Sequence, residues 1–303
     1  MSLTRRRLLS IGAAAVAAGA TLPTRSLAEV SIGAMRLQTV SDGHLTLPGD
    51  FAYGDMPQDQ LLPLLEAAGA SRDRYEPECN VTLIRQDDRV ILFDVGSGPD
   101  FMPSAGALPD TLDAMGLAPE DVTHVVFTHA HPDHIWGLLD DFDDLLFPEA
   151  SYLIGQAEWD YWTDPDTVDS IGEARAAFAV GAQRRLAAIE DQITLFADKD
   201  EILPGIAARA SFGHTPGHMS FEVSDAGASA LILGDAVANP HVYFARPEWR
   251  SGADQDPDAA VAARQSLLDQ AASDQMTLVG FHLPGGGIGR AERHGDAYRF
   301  VGG

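Results

Sequence analysis

The sequence predicts a single domain that mixes α-helices and β-strands, on three observations. Short runs rich in Val, Ile, Leu and Phe recur from residue 35 to residue 281, with helix-length stretches between them. Four of these apolar runs end on a histidine or an aspartate. No Pro/Gly/Ser linker, internal repeat or low-complexity tract divides residues 29–303, and 303 residues with 45% hydrophobic content suffice for one large core.

Taken in order, alternation over residues 35–40 predicts a first strand. Residues 47–78 carry Pro48, Pro57, Pro63 and Pro77 around a short helical patch at Gln58–Ala68, and read as an extended, irregular flap. Residues 81–85 and 89–94 predict a hairpin across Gln86-Asp87-Asp88. A helix over 110–115 stops at Gly116. Residues 123–127 form a buried strand by their β-branched content, and a helix can open in 135–139. A strand over 151–154 is followed by helices over 157–162 and 171–189. Four further strands, 193–196, 207–212, 220–223 and 230–233, are expected in a second sheet. After the loop 251–256, an amphipathic helix covers 257–272, a last core strand covers 277–281, and residues 292–301 end the fold.

Residues 1–28 differ from the rest. Arg5-Arg6-Arg7-Leu8-Leu9 precedes a small-residue apolar run and then Ser26-Leu27-Ala28, a cleavage candidate. This reads as a secretory signal, its paired arginines with Leu8-Leu9 resemble a twin-arginine export signal, and a periplasmic or secreted protein is expected. The run is too short and too rich in Ala and Gly for a membrane span, so no stable membrane association is expected once it is removed. Removal takes away four arginines and no acid, leaving the mature chain more acidic than the formal charge of -25. Such a surface repels phosphate backbones and excludes nucleic acid as a partner. One cysteine, Cys79, excludes an internal disulfide and reads as a small buried hydrophobe.

The densest chemistry lies in Thr128-His129-Ala130-His131-Pro132-Asp133-His134, three histidines and a carboxylate at the end of a strand. Neutral imidazoles with a hard carboxylate suit Zn²⁺, and Fe or Mn also fit. Three more apolar runs lead into His214, Asp235 and His282. Gly213 and Gly234 each precede one of these and permit close backbone approach. Any one of these residues alone reads as a satisfied polar side chain at a strand end. Four strands delivering metal-type ligands together do not.

His129-x-His131-x-Asp133-His134 followed by His214, Asp235 and His282 resembles the dinuclear ligand set of the metallo-β-lactamase superfamily of hydrolases, across most of residues 29–303. The resemblance implies an α+β fold, the four-layer αββα sandwich of the metallo-β-lactamase type. It implies two divalent metal ions per chain, most simply Zn²⁺. His129, His131 and His214 would hold the first, Asp133, His134 and His282 the second, and Asp235 would bridge them. It further implies attack by a metal-bridging hydroxide, with Asp133 as proton shuttle. Asp94 would orient the metal turn without ligating, and His218 would be structural. No Gly-x-Ser-x-Gly elbow offers a competing serine hydrolase chemistry.

Departures from the family pattern narrow the substrate. Asp235 argues against a true β-lactamase. Ala238 stands where homoserine-lactone lactonases often carry a tyrosine, and Trp136 stands where glycine is usual, placing an indole near the metal turn or pocket wall. The flap and export signal resemble the branch containing methyl parathion hydrolase, lactonases and arylesterases, and the small-molecule substrate is expected to be a lactone, (aryl)ester or phosphotriester. Phe51, Tyr53, Trp136, Trp159, Trp162, Phe244 and Trp249 are expected to supply an apolar pocket. A homodimer is expected from the resemblance alone. The alternatives are a glyoxalase II-like thioesterase and a mononuclear-iron oxidoreductase of the persulfide dioxygenase kind.

Overall fold

The computed structural model describes residues 28–303, so the export signal expected over 1–28 lies, except for Ala28, outside the described residues. The amino-terminal part forms β1 (Glu29–Ile32), β2 (Met35–His44), β3 (Leu47–Pro48), α1 (Gly49–Tyr53), α2 (Gln58–Ala68), β4 (Arg74–Tyr75), β5 (Glu78–Gln86) and β6 (Arg89–Phe93). Next come α3 (Leu108–Ala114), β7 (His124–Phe127), α4 (Pro132–Ile135), β8 (Ser151–Gly155), α5 (Gln156–Thr163), α6 (Thr167–Ser170), α7 (Ala176–Ala188) and β9 (Ile193–Phe196). The remainder is β10 (Glu201–Leu203), β11 (Ile206–Ala210), β12 (Met219–Asp225), β13 (Ala228–Ile232), α8 (Pro257–Asp274), β14 (Thr277–Val279), β15 (Ile288–His294) and β16 (Ala297–Gly302).

Two seven-stranded sheets result, ordered β1-β2-β5-β6-β7-β8-β9 and β10-β11-β12-β13-β14-β15-β16. Strands β6 to β9 run parallel, and β13 pairs parallel with β14. The alternation of side chains along each strand makes the layers. In β7, Val126 joins Ile84, Ile91 and Phe93 in an apolar layer shared with Phe221, Val223 and Ile232 of the other sheet. Its neighbours Val125 and Phe127 point the other way, onto Leu112, Trp162, Ala182 and Leu186. Across the molecule, Leu231 and Leu278 face outward onto Leu267, Leu268 and Ala271 of α8. Three apolar layers between four layers of structure are the expected αββα sandwich. Each fully buried Leu, Val or Phe contributes roughly 1.5–3 kcal/mol of transfer free energy.

Two expectations need correction. Strand β9 was expected in the second sheet, but it pairs parallel with β8 as the edge of the first. It follows α7, so it completes a strand–helix–strand crossover, whose connection returns to the same sheet. The stretch 47–78 is also more ordered than its prolines suggest. It contains α1, α2 and the paired β3 and β4, and it buries Tyr53, Leu61 and Leu65. Pro63 sits inside α2 without ending it. Among the described residues, no helix is long and apolar enough to cross a membrane.

Candidate metal centre

Every residue of the expected ligand set lies at the same rim of the two sheets. His129 and His131 lie in the turn after β7, and Asp133 and His134 lie on the single-turn α4. Pro132 opens that turn, where a missing N–H costs nothing and a fixed φ favours helix. His214 sits between β11 and β12, Asp235 after β13 and His282 after β14. Gly213 (φ +132°) and Gly234 (φ +53°) meet the expectation placed on them. A β-carbon would collide with the α8 backbone at Ala260 in the first case and with the His218 ring in the second.

The side chains form two adjacent groups able to hold a metal ion: His129, His131 and His214, and then Asp133, His134, Asp235 and His282. His214 Nε2 lies 2.9 Å from His131 Nδ1. Asp235 reaches both groups, with Oδ2 at 3.3 Å from His214 Nε2 and 3.4 Å from His282 Nε2, and Oδ1 at 3.3 Å from His134 Nε2. Asp133 Oδ2 is 3.2 Å from His282 Nε2 and 3.5 Å from His134 Nε2. The nitrogens and oxygens that converge here include buried atoms without a hydrogen-bond partner: His129 Nε2, His134 Nε2, Asp133 Oδ2 and Asp235 Oδ1. Such atoms are rare in native interiors, and a cation satisfies them.

Electrostatics point the same way. Burial pushes His129 and His131 well below the ordinary imidazole range, so both are neutral, as metal ligands must be. At His134 and His282 burial pushes in the same direction, but the carboxylates of Asp133 and Asp235 outweigh it and raise the pKa. Burial likewise raises the Asp133 and Asp235 carboxyls, and the His134 and His282 imidazoles more than reverse it. Two buried negative charges therefore demand positive charge in this spot. The donor set fits two divalent cations.

A ring of buried groups holds the ligands in place. Asp94, at φ +67°, accepts from His134 Nδ1 (2.8 Å), from the Thr128 amide (2.8 Å) and from the Thr128 hydroxyl (2.8 Å). It thus orients the turn in the manner expected of it. His218 uses both nitrogens elsewhere. Its Nε2 accepts the Asp235 amide at 2.9 Å and its Nδ1 meets the Ser211 hydroxyl at 2.8 Å, with burial pushing its pKa down to about 3. His282 Nδ1 donates to the Glu78 carbonyl at 2.7 Å.

Two buried carboxylates in this ring escaped the sequence reading. Glu158 of α5 accepts from the Ala130 amide, Trp162 Nε1, the Thr215 hydroxyl and the Gly217 amide, joining the two histidine loops. Asp254, in the loop read only as a connection, meets His214 Nδ1 at 3.1 Å. Neither lies at a strand end, and Glu158 reads as one more helix-surface acid. The only local signal was its spacing of four residues from Trp162.

An apolar cavity opens over the two groups. Its wall comes from Leu45, Leu47, Phe51 and Tyr75 on the amino-terminal side and from Phe101, Phe178 and Tyr243 opposite. Of the seven aromatics expected there, Phe51 lines it. The other six do not line it: they are buried behind its wall or elsewhere in the core, or face another part of the surface. Tyr53 packs behind Tyr75 with its ring tilted and the centroids 5.7 Å apart, and Trp162 is sealed in the core donating to Glu158. Trp136 packs behind Phe101 at 5.6 Å, in space that Gly181 leaves on α7. Trp159 faces a separate surface groove with Thr163 and Gln183. Phe244 packs on Phe300, and Trp249 is buried beside Arg246. Ala238 does line the cavity, and its carbonyl accepts the Tyr75 hydroxyl at 2.6 Å.

Comparison with known proteins agrees with this geometry. Residues 74–282 match the family described as the metallo-beta-lactamase superfamily. The chain is 26% identical over 201 residues to the uncharacterized protein YobT of Bacillus subtilis (strain 168), covering 64% of this chain and 79% of YobT. It is 29% identical over 123 residues to the N-acyl homoserine lactonase AttM of Azorhizobium caulinodans, covering 40% of this chain and 43% of AttM. Among solved structures, AidC, a dizinc quorum-quenching lactonase, superposes with a TM-score of 0.85 at 23% identity, over 92% of this chain and 97% of AidC. The hydrolase AbOPH superposes with a TM-score of 0.84 at 26% identity, over 91% of this chain and 97% of its own.

Proposed function

The chain belongs to the metallo-beta-lactamase superfamily as a metal-dependent hydrolase, and we propose that it is an exported dizinc enzyme that opens lactones or cleaves aryl esters. The observation that carries this reading is the pair of abutting ligand groups, with partnerless buried atoms, at the floor of an apolar cavity. The relation to AttM supports the lactone class. The leader over residues 1–28 supports export to the periplasm or beyond.

His129, His131 and His214 would hold one ion, Asp133, His134 and His282 the other, and Asp235 both. Bound there, divalent cations supply a nucleophile from water at neutral pH and polarise the substrate's carbonyl or phosphoryl oxygen. The protein's own groups do the rest. Asp133 lines the cavity, and with Oδ2 turned to the second ion its other oxygen would be left to hold and release the proton that moves between nucleophile and leaving oxygen. Phe51, Phe101 and Phe178 take the acyl or aryl portion and keep water from it.

The test is hydrolysis of an N-acyl homoserine lactone, an aryl ester and a phosphotriester by purified protein before chelation, after it, and after zinc is restored. Lactone or ester turnover that disappears and returns with zinc is expected. Turnover indifferent to chelation, or none on any of the three, contradicts the proposal.

A further inference from the structure

The two metal groups are not supported alike, and the difference lies in a chain of buried charge behind His214. His214 turns Nε2 toward His131 and Nδ1 toward Asp254 Oδ1 at 3.1 Å. The second oxygen of Asp254 accepts from Arg264 Nη2, also at 3.1 Å. Arg264 is 1% exposed, an unusual place for a guanidinium. It donates to the Trp249 carbonyl at 2.8 Å and the Pro247 carbonyl at 3.1 Å, and lies 3.6 Å from the centre of the Tyr243 ring. Its Nε also points at the carbonyl of Ala236, next to Asp235, at 3.4 Å. The loop that carries Asp254 is pinned further by Arg175 on the carbonyls of Gly252 and Ala253, and by the Gln255 and Asp256 amides on the carbonyls of His214 and Gly213.

We infer that Asp254, held by Arg264, is the positioning residue of His214 within the three-histidine metal group. This rests on the dizinc reading. A carboxylate on Nδ1–H fixes the tautomer that leaves Nε2 free, aims the ring and makes Nε2 a better donor to a cation. The guanidinium fixes the carboxylate in turn, with a planar donor fork that does not swing. Because Arg264 also reaches the residue after Asp235, one buried cation registers a terminal histidine of the first group against the carboxylate that touches both.

The experiment compares the full mature chain with Asp254→Asn. Asparagine keeps the shape, but whichever way its amide faces, an N–H opposes either His214 Nδ1–H or Arg264. Zinc competition against a chelator is expected to show one of the two zinc equivalents bound about 10–100-fold more weakly, the other unchanged. The visible bands of the cobalt-substituted protein should shift, and kcat should fall with KM nearly constant. Circular dichroism of the metal-free proteins reads folding separately. If Asp254→Asn does not fold, the unmodified zinc-loaded protein decides by nitrogen-15 NMR of its histidines. A proton on His214 Nδ1 upholds the relay, and a proton on Nε2 overturns it. Wild-type zinc binding with an indifferent Asp254→Asn overturns the relay alone, whereas a wild-type chain that takes up no zinc overturns the dizinc reading as well.

Discussion

The carboxylate of Glu158 accepts the backbone amide of Ala130 at 2.9 Å, between His129 and His131 of the metal turn. Its other oxygen holds the Thr215 hydroxyl and the Gly217 amide, just past His214. One buried side chain therefore sets the distance between two ligand loops that are about 85 residues apart in sequence. Burial raises its carboxyl pKa, and the four donors work against that shift. Glu158→Gln places an NH₂ where two donors already point. The expected loss is roughly 1–3 kcal/mol for the unsatisfied group, seen as a lower melting temperature of the metal-free protein. An unchanged melting temperature would show that the loops do not depend on this residue.

Among the described residues, Asp235 is the one carboxylate that touches both groups. Asp235→Asn removes a negative charge where two cations are expected to meet. Zinc content should fall toward one per chain, and hydrolysis by orders of magnitude. Metal analysis and turnover are read on the same sample. Two zinc ions and full activity in the variant would remove Asp235 from its bridging place.

The amino-terminal wall of the cavity is best tested at one side chain. Removing residues 47–76 would strip Tyr53, Leu61 and Leu65 from the core and unfold more than a flap. Phe51 is 45% exposed and lines the cavity, so Phe51→Ala costs little stability. The expected result is a several-fold rise in KM for long-chain or aryl substrates and little change for short ones. Equal KM values across such a panel would mean that Phe51 makes no contact with substrate.

Cys79 is fully buried, and burial pushes its thiol up to about 12. Thiolate is the reactive form, so the folded protein should give no reaction with a thiol reagent at pH 8, and one thiol per chain in denaturant. Labelling of the native protein at the unfolded rate would place Cys79 outside the core.

The metal centre was legible because its ligands are chemically unusual residues placed where apolar runs stop. His129, His131, Asp133, His134, His214, Asp235 and His282 needed no tertiary information to be noticed. The groups that hold them did need it. Glu158 is one acid among many on an acidic chain, and Asp254 lies in a loop without periodicity, so only the fold reveals their partners. The pocket aromatics failed for a related reason. Proximity in sequence to the ligands says nothing about direction, and Trp136 and Trp162 point into helix packing whereas Phe101 and Phe178, not singled out, line the cavity. Strand existence came from apolar runs, but the sheet to which β9 belongs depends on how α7 returns the chain, which a four-residue run does not encode.

The most direct measurement of the central claim is the metal content of the purified protein, taken together with its turnover of a small lactone. About two zinc ions per chain are expected, with hydrolysis rising in step with zinc loading. A single iron per chain without hydrolysis would contradict that claim and make the fold the carrier of an oxidoreductase instead.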